Sequence, residues 1–244
     1  MNKLLLNQVI EIKENGVFFL EVLNLVDSFS IHVFPHINAK ILLLSDSYQG
    51  KIEVNILENA KLTLEAFGVK SSFSYDVHLK GYGAELNFVY SGLTNLSEKC
   101  EIKICHDASN TNSRIVNHIV HYGLGTAFIQ VDGYIPKGFV GCKMVQDNKI
   151  MLMDDGKGMI LPNLYISEFD SFSEHSAYIS KFSKEELFYL QMRGIGEKDA
   201  ANLLKRAFLL GGFSLLEEMD EFNDIKSKLI NTIQEFGGDI FVSR

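Results

Sequence analysis

The sequence predicts a mainly β fold, a parallel β-helix (β-solenoid), followed by a C-terminal α-helical segment. From about residue 7 to residue 174 it consists of short apolar runs separated by polar or glycine turns, and no helical pattern separates these runs. Aromatic residues, which favour strands, are frequent, with 18 Phe and 9 Tyr. At residue 183 the pattern changes to apolar residues spaced three and four apart, which is typical of helices.

A recurring motif, a small residue followed by a short strand, favours the solenoid. Its markers are Ala39, Ala60, Ala84 and Thr126, separated by 21, 24 and 42 residues, the last step being close to two periods. A β-helix repeats in this way because each coil buries its inner face only by stacking on the next. An antiparallel β-sandwich also has short strands at regular spacing, so it remains the alternative.

The N-terminal residues predict a hairpin. The apolar runs Val9–Lys13 and Val17–Leu20 flank Glu-Asn-Gly at 14–16, and Asn-Gly favours a tight reversal between antiparallel strands. We therefore divide the chain into a β-helix core, residues 1–182, whose first 25 or so residues form a capping hairpin, and a helical domain, residues 183–244.

Three helices are predicted in the C-terminal domain. Ser183 and Glu186 match a capping box at the start of the first helix, and Gly194 can end it. The second helix spans Glu197–Leu210 and the third about Leu215–Phe236, each with apolar residues on one face. Helices this short are unstable alone, so they must pack on the solenoid or on a partner.

Composition excludes several function classes. The net charge is −8, the sequence pI is about 5.4, and no Lys or Arg run could follow a phosphate backbone, so nucleic acid is not an expected partner. No apolar stretch approaches the ~20 residues that span a bilayer, and Met1–Asn7 lacks a signal-peptide core. We expect a cytoplasmic protein that contacts no membrane.

The three cysteines are typical of a reducing compartment. Cys100 and Cys105 lie five positions apart in one predicted strand, so they point to opposite faces and cannot bind one metal ion together. Cys142 is a candidate metal or cluster ligand because Lys143 beside it favours the thiolate. The alternative for Cys142 is a small inward side chain in a coil.

Several spaced motifs resemble the SufB/SufD family. Ile160–Ile166 is similar to the family's proline-containing strand, and Glu174–Ala177 is similar to the short histidine-containing motif of the family. Leu187–Ile195 resembles its Leu-Phe-Tyr-Leu-x-Ser-Arg-Gly-Ile helix, and Gly212 with Phe213 resembles the end of the helix that follows. The resemblance covers about residues 80–236.

The resemblance implies a fold and partners. Family members are right-handed parallel β-helices with a C-terminal helical domain, and they build iron–sulfur clusters together with the ATPase SufC, which docks on that domain. Their β-helices pair, so the implied partners are a SufC-like ATPase and a SufB-like or identical β-helix subunit. The implied partner-binding residues are Phe188, Tyr189, Arg193, Gly194, Ile195 and Phe208; for Arg193 the favoured alternative is an ion pair that holds the helix to the solenoid.

The resemblance also locates cluster ligands. Asp147 stands at the position of the SufB cysteine proposed to carry the cluster, Ser176 at that of the neighbouring glutamate, and His175 at that of the SufD-type histidine. Thiolate is the usual ligand of cluster iron. We therefore expect a non-catalytic, SufD-like scaffold with no tightly bound cofactor, and a transient cluster or iron near His175 at a subunit interface. The alternatives are a structural homodimer and a carbohydrate-active β-helix enzyme with clustered carboxylates.

Overall fold

The computed structural model describes residues 2–3, 8–23, 27–153 and 155–236, and it shows a parallel β-helix with C-terminal helices. Among these residues the strands alternate between two sheets, and every pairing is parallel. The predicted fold class is therefore confirmed, and the sandwich alternative is excluded. Sheet I contains, in order, β1 (Asn2–Lys3), β3 (Gly16–Leu23), β5 (Asn38–Asp46), β7 (Lys61–Val69), β9 (Glu85–Thr94), β11 (Asn112–His121), β13 (Cys142–Leu152) and β15 (Ser171–Ser180). Sheet II contains, in order, β2 (Val9–Ile12), β4 (Phe29–Val33), β6 (Gln49–Ile56), β8 (Ser72–Leu79), β10 (Glu98–His106), β12 (Thr126–Ile135) and β14 (Lys157–Ile166).

Alternation within the strands builds the interior core. In β8 and β12 every second residue is buried, as expected for strands with one face inside the solenoid. These inward side chains stack from coil to coil into one apolar cluster that includes Ile31, Val54, Val77 and Ile102. Burial of this column is what makes the coils cohere.

The recurring motif identifies the repeat but not the register in which successive coils pair. Ala39 pairs with Leu62, two residues beyond Ala60. Thr126 begins a strand of sheet II, whereas Ala84 directly precedes a strand of sheet I. The separation between paired residues of neighbouring coils varies from 16 to 31 along the chain, because the corner loops differ in length. A fixed period therefore cannot align all coils.

The predicted capping hairpin is wrong. Strand β2 lies in sheet II and β3 in sheet I, and each pairs in parallel with the next coil. The Glu-Asn-Gly turn is a corner between the sheets: the Asn15 side chain accepts a hydrogen bond from the Asn38 backbone N–H at 2.7 Å. A two-residue hairpin turn needs positive φ at least at its first central residue, and neither Asn15 nor Gly16, both described, has a positive φ.

Two of the three predicted helices are confirmed. Helix α1 spans Lys184–Met192 with the complete capping box of Ser183 and Glu186, and α2 spans Glu197–Leu210. The third is wrong as a single helix, because Met219 is extended and divides it. The pieces are α3 (Leu215–Glu218), a 3-10 turn (Asp220–Phe222) and α4 (Asn223–Glu235).

The helices pack on the outer face of sheet I. Outward residues of that sheet, among them Phe67 and Val89, form a second apolar cluster with Leu209, Phe213 and Ile233 of the helical segment. The expectation that these helices depend on a neighbour is met by the chain's own solenoid. The described helices include none that is long and apolar enough to cross a membrane.

Candidate functional site

The last coil of the solenoid, β14 and β15, is the candidate site. Each strand is the final member of its sheet, so one edge of each is unpaired by any residue that the structure describes. Most residues of β15 are exposed, unlike the equivalent residues of β13. We call these two strands the terminal coil. Its exposed large apolar side chains are Met159, Leu161, Tyr165, Phe172, Tyr178 and Ile179.

Asp147 and Ser176 are neighbours on the outer face of this end of sheet I. They pair in register across β13 and β15, and Ser176 Oγ donates to Asp147 Oδ1 at 2.7 Å. Lys149 Nζ donates to the other oxygen, Oδ2, at 2.8 Å. Burial alone would raise the pKa of Asp147, but the hydrogen bonds from Lys149 and Ser176 outweigh it and hold that pKa below its usual value. Asp147 is therefore an ionised, already partnered carboxylate.

His175 lies on the opposite face of β15, above the mouth of the solenoid interior. It pairs in register with Gln146, which is buried, while His175 itself is exposed. Next to Gln146 the interior is polar: Asn117 Nδ2 donates to Asn148 Oδ1 at 2.7 Å, and Asn148 Nδ2 donates to the Ser176 carbonyl at 3.2 Å. The interior thus changes from apolar to polar as it approaches His175.

Cys142 lies apart from these residues. Its side chain is fully buried at a corner of the coil, where its Sγ is 3.2 Å from the Phe139 carbonyl and 3.3 Å from Thr111 Oγ1. Cys142 pairs with Ser171, which lies four residues before His175. The Cα atoms of Cys142 and His175 are therefore separated by roughly 13 Å along the strand direction. The structure does not bring Cys142 and His175 together.

The two remaining cysteines point to opposite faces, as predicted. Cys100 belongs to the interior apolar cluster. Cys105 lies on the outer side of β10, next to His78 on the neighbouring strand.

Helix α1 presents an apolar surface to solvent. None of its nine described residues is buried, and Phe188, Tyr189 and Met192 are exposed by 62%, 55% and 72%. A groove of about 650 Å³ runs beside it, lined by Phe182, Leu187 and Phe188 among other residues. A helix that buries none of its apolar residues needs a further contact.

The other predicted partner-binding residues are arranged around α1. Arg193 follows the helix and lies over the Tyr189 ring, 4.8 Å from its centroid. Gly194 has φ of +83°, which ends the helix, and Ile195 after it is half-buried. The Phe208 ring stacks on His118 at 4.6 Å, so it contacts the solenoid of its own chain.

Comparison with known proteins identifies the family. Residues 47–208 match the family described as SUF system FeS cluster assembly, SufBD core domain, which is more than half of the chain. The chain belongs to the SufBD family. The family description indicates a role in iron–sulfur cluster assembly, and the match begins well before residue 80, where the recognisable motifs begin.

Named relatives agree with this assignment. An iron–sulfur cluster assembly SufBD family protein of Mycobacterium leprae is 33% identical over 108 residues, 44% of this chain and 12% of that protein. Proteins of the same description from Staphylococcus haemolyticus and Staphylococcus epidermidis are each 25% identical over 128 residues, 52% of this chain and 27% of theirs. This SufBD chain therefore covers well under two thirds of the length of these relatives.

Sequence reasoning missed the polar residues at the mouth of the SufBD solenoid. Gln146 and Asn148 occupy the inward phase of β13, between Met144 and Ile150. Two amides on the apolar phase of an alternating strand are a signal that the sequence contains. Recognising them required knowing which phase faces inward.

Proposed function

We propose that this chain is a non-catalytic scaffold subunit of a Suf-type assembly complex. It pairs with a second β-helix subunit through the terminal coil and docks a SufC-type ATPase through α1. The proposal rests chiefly on the exposed edge of the terminal coil, which no strand of the described residues pairs with. Parallel sheets are normally covered, and exposed strand edges readily pair with another chain.

Of the two free edges, β15 is the better pairing surface. Strand β14 contains Pro162, which lacks an N–H and interrupts any ladder along its edge. Strand β15 contains no proline, and Phe172 and Tyr178 project from its outer face. Pairing along β15 would satisfy its free backbone groups and bury both rings.

Helix α1 provides the surface proposed for the ATPase. Phe188 and Tyr189 are exposed large apolar residues on a helix that buries none of its described residues, beside an apolar groove. Patches of this kind mark protein interaction sites. Arg193 lies against the same surface and adds the planar cation that interfaces favour.

The cluster is cargo shared between two subunits in this proposal. Asp147 and Ser176 hydrogen-bond to each other and offer no thiolate, while the exposed imidazole of His175 is a competent iron ligand. The thiolates would come from the partner, and no cluster would stay tightly bound to this chain alone.

One reconstitution experiment separates the two surfaces. The full chain is mixed with a SufC-type ATPase and a SufB-type subunit, and the complexes are resolved by size-exclusion chromatography with mass measurement. We expect Tyr178→Glu to lose the β-helix subunit but keep the ATPase, because a charge on the edge opposes burial. Phe188→Glu should lose the ATPase but keep the subunit.

Tyr82→Glu is the matched control. Tyr82 is exposed by 56%, close to the 52% of Tyr178, but lies in a turn away from both surfaces. It should keep both partners. The proposal fails if the wild-type chain binds neither partner, or if all three variants behave alike. If the chain instead forms persistent dimers that Tyr178→Glu separates and never binds the ATPase, it is a structural homodimer.

A further inference from the structure

A second cluster of metal-binding side chains lies on the outer face of sheet II. Within the part of the chain that the structure describes, Asp76, His78 and Cys105 bring their ligand atoms within 4.8 Å of one another. Asp76 and His78 are two apart in β8 and share a face, and Cys105 pairs with His78 from β10. Two further strands, β12 and β14, separate β10 from the end of the sheet, so this group is distinct from the terminal coil.

The hydrogen bonds of His78 prepare one ring nitrogen for a cation. Its Nδ1 lies 2.6 Å from Asp107 Oδ2, and a carboxylate only accepts, so Nδ1 carries the proton. This carboxylate–histidine arrangement is the one that orients metal-bound histidines. In the neutral ring the other nitrogen, Nε2, carries a lone pair that faces Asp76 Oδ1 at 3.2 Å.

Asp76 Oδ1 makes a long ion pair with Lys103 Nζ, at 3.8 Å. It is buried and accepts no hydrogen bond from the described residues. With His78 neutral, two lone pairs face each other at 3.2 Å, which is repulsive. A cation held by Nε2 and Oδ1 replaces this repulsion with two bonds, and Cys105 Sγ is placed to supply a third.

We propose that Asp76, His78 and Cys105 form a binding site for a divalent transition-metal cation, Zn²⁺ or Fe²⁺, with a fourth position left open. Thiolate and imidazole ligands select these ions over Mg²⁺ and Ca²⁺, which prefer oxygen. Three protein ligands with an open position are the arrangement of sites that bind or exchange a further ligand. The site does not depend on the proposed scaffold function.

Two lysines compete with the cation for Asp76. Lys51 Nζ lies 2.7 Å from Oδ2, so it occupies the oxygen that faces away from the site. Lys103 Nζ lies 3.8 Å from Oδ1, and its half-exposed side chain is free to turn away.

Burial raises the pKa of Cys105, so the metal must displace the thiol proton, which leaves to solvent. Bound, the +2 cation is balanced by the thiolate and the Asp76 carboxylate.

Anaerobic titration of the full chain with Co²⁺ tests the site, because cobalt reports a thiolate ligand by charge-transfer absorption. We expect one equivalent to bind with that absorption and Zn²⁺ to displace it. His78→Gln and Asp76→Asn should each weaken binding about tenfold or more. Cys105→Ser should also abolish the charge-transfer band, and Lys103→Met should tighten binding by removing a competitor.

The matched controls are two nearby residues outside the group. His32→Gln changes a histidine of the same sheet face, and Cys100→Ala removes a cysteine from the inner face of the same strand as Cys105. Both should bind Co²⁺ like the wild type, with folding checked by circular dichroism. The site is refuted if the wild-type chain binds no cobalt saturably, if the band survives in Cys105→Ser, or if the controls lose it equally.

Discussion

His106 shows how a single buried residue makes the solenoid sensitive to acid. The ring is enclosed in the interior, where its Nδ1 lies 2.6 Å from Thr111 Oγ1 and its Nε2 lies 2.9 Å from Ser113 Oγ. Thr111 donates its proton to the Ala108 carbonyl, so it accepts from Nδ1–H, and Ser113 donates to Nε2. This network satisfies the neutral ring, whereas a second ring proton, on Nε2, would require Ser113 Oγ to accept instead of donate.

The consequence is a pH-dependent stability. Burial lowers the pKa of His106 to about 4, whereas in the unfolded chain it is about 6.5. Between these values the unfolded state binds more protons, so stability is complete above pH 6.5 and is lost as the pH falls towards 4. The shift corresponds to about 3 kcal/mol.

We therefore expect His106→Gln to flatten the dependence of the unfolding free energy on pH between 7 and 4. Urea unfolding at several pH values measures this slope, whatever the intercept. His36→Asn, at an exposed turn residue with φ of +63°, is the control and should keep the wild-type slope. An unchanged slope in His106→Gln would contradict the assignment.

At the scale of elements, Glu65 of β7 joins the helical segment to the solenoid. It points outward from sheet I yet is fully buried, and its carboxylate accepts from Ser214 N and Oγ, both at 2.8 Å, and from Leu215 N. These groups lie at the start of α3, whose first amides have no partner within the helix. The sequence alone does not reveal this contact, because the residues that Glu65 binds are about 150 positions away.

Glu65→Leu should destabilise the chain by about 2–4 kcal/mol, since it leaves buried amides without an acceptor. Chemical unfolding followed by far-UV circular dichroism measures the loss. Glu85→Leu is the control, because the Glu85 side chain forms an exposed ion pair with Lys61, and its removal should cost below about 1 kcal/mol. Equal costs for the two variants would show that the carboxylate does not anchor α3.

The elements also show what the sequence encodes locally. The bounds of α1 and α2 were predictable because the capping box at Ser183 and the apolar spacing of Glu197–Leu210 lie within each helix. The predictions of a hairpin around Asn15 and of the register of Ala39 were wrong, because both features depend on which coil stacks on which. The same dependence hid the contact of Cys105 with His78, although their chemistry was visible in the sequence.

At the scale of the whole molecule, the surfaces of the solenoid are divided. Among the described residues, the helices cover the outer face of sheet I, the proposed metal-binding group lies on sheet II, and the terminal coil remains uncovered. Pairing through the terminal coil would place His175 at the interface and leave Asp76, His78 and Cys105 outside it. The two proposed iron-binding places can therefore be tested separately in one complex.

The last prediction concerns the cluster held by the paired subunits. Asp147 is already bound by Ser176 and Lys149, so the isolated chain should assemble no stoichiometric cluster when given iron and sulfide anaerobically. Paired with a SufB-type subunit that supplies thiolates, it should develop cluster absorbance, and His175→Ala should lose most of it. His78→Gln should keep the absorbance, because that residue lies away from the pairing edge. A stoichiometric cluster on the isolated chain, or equal absorbance with His175→Ala, would remove His175 from the ligand set and leave this chain as a docking subunit.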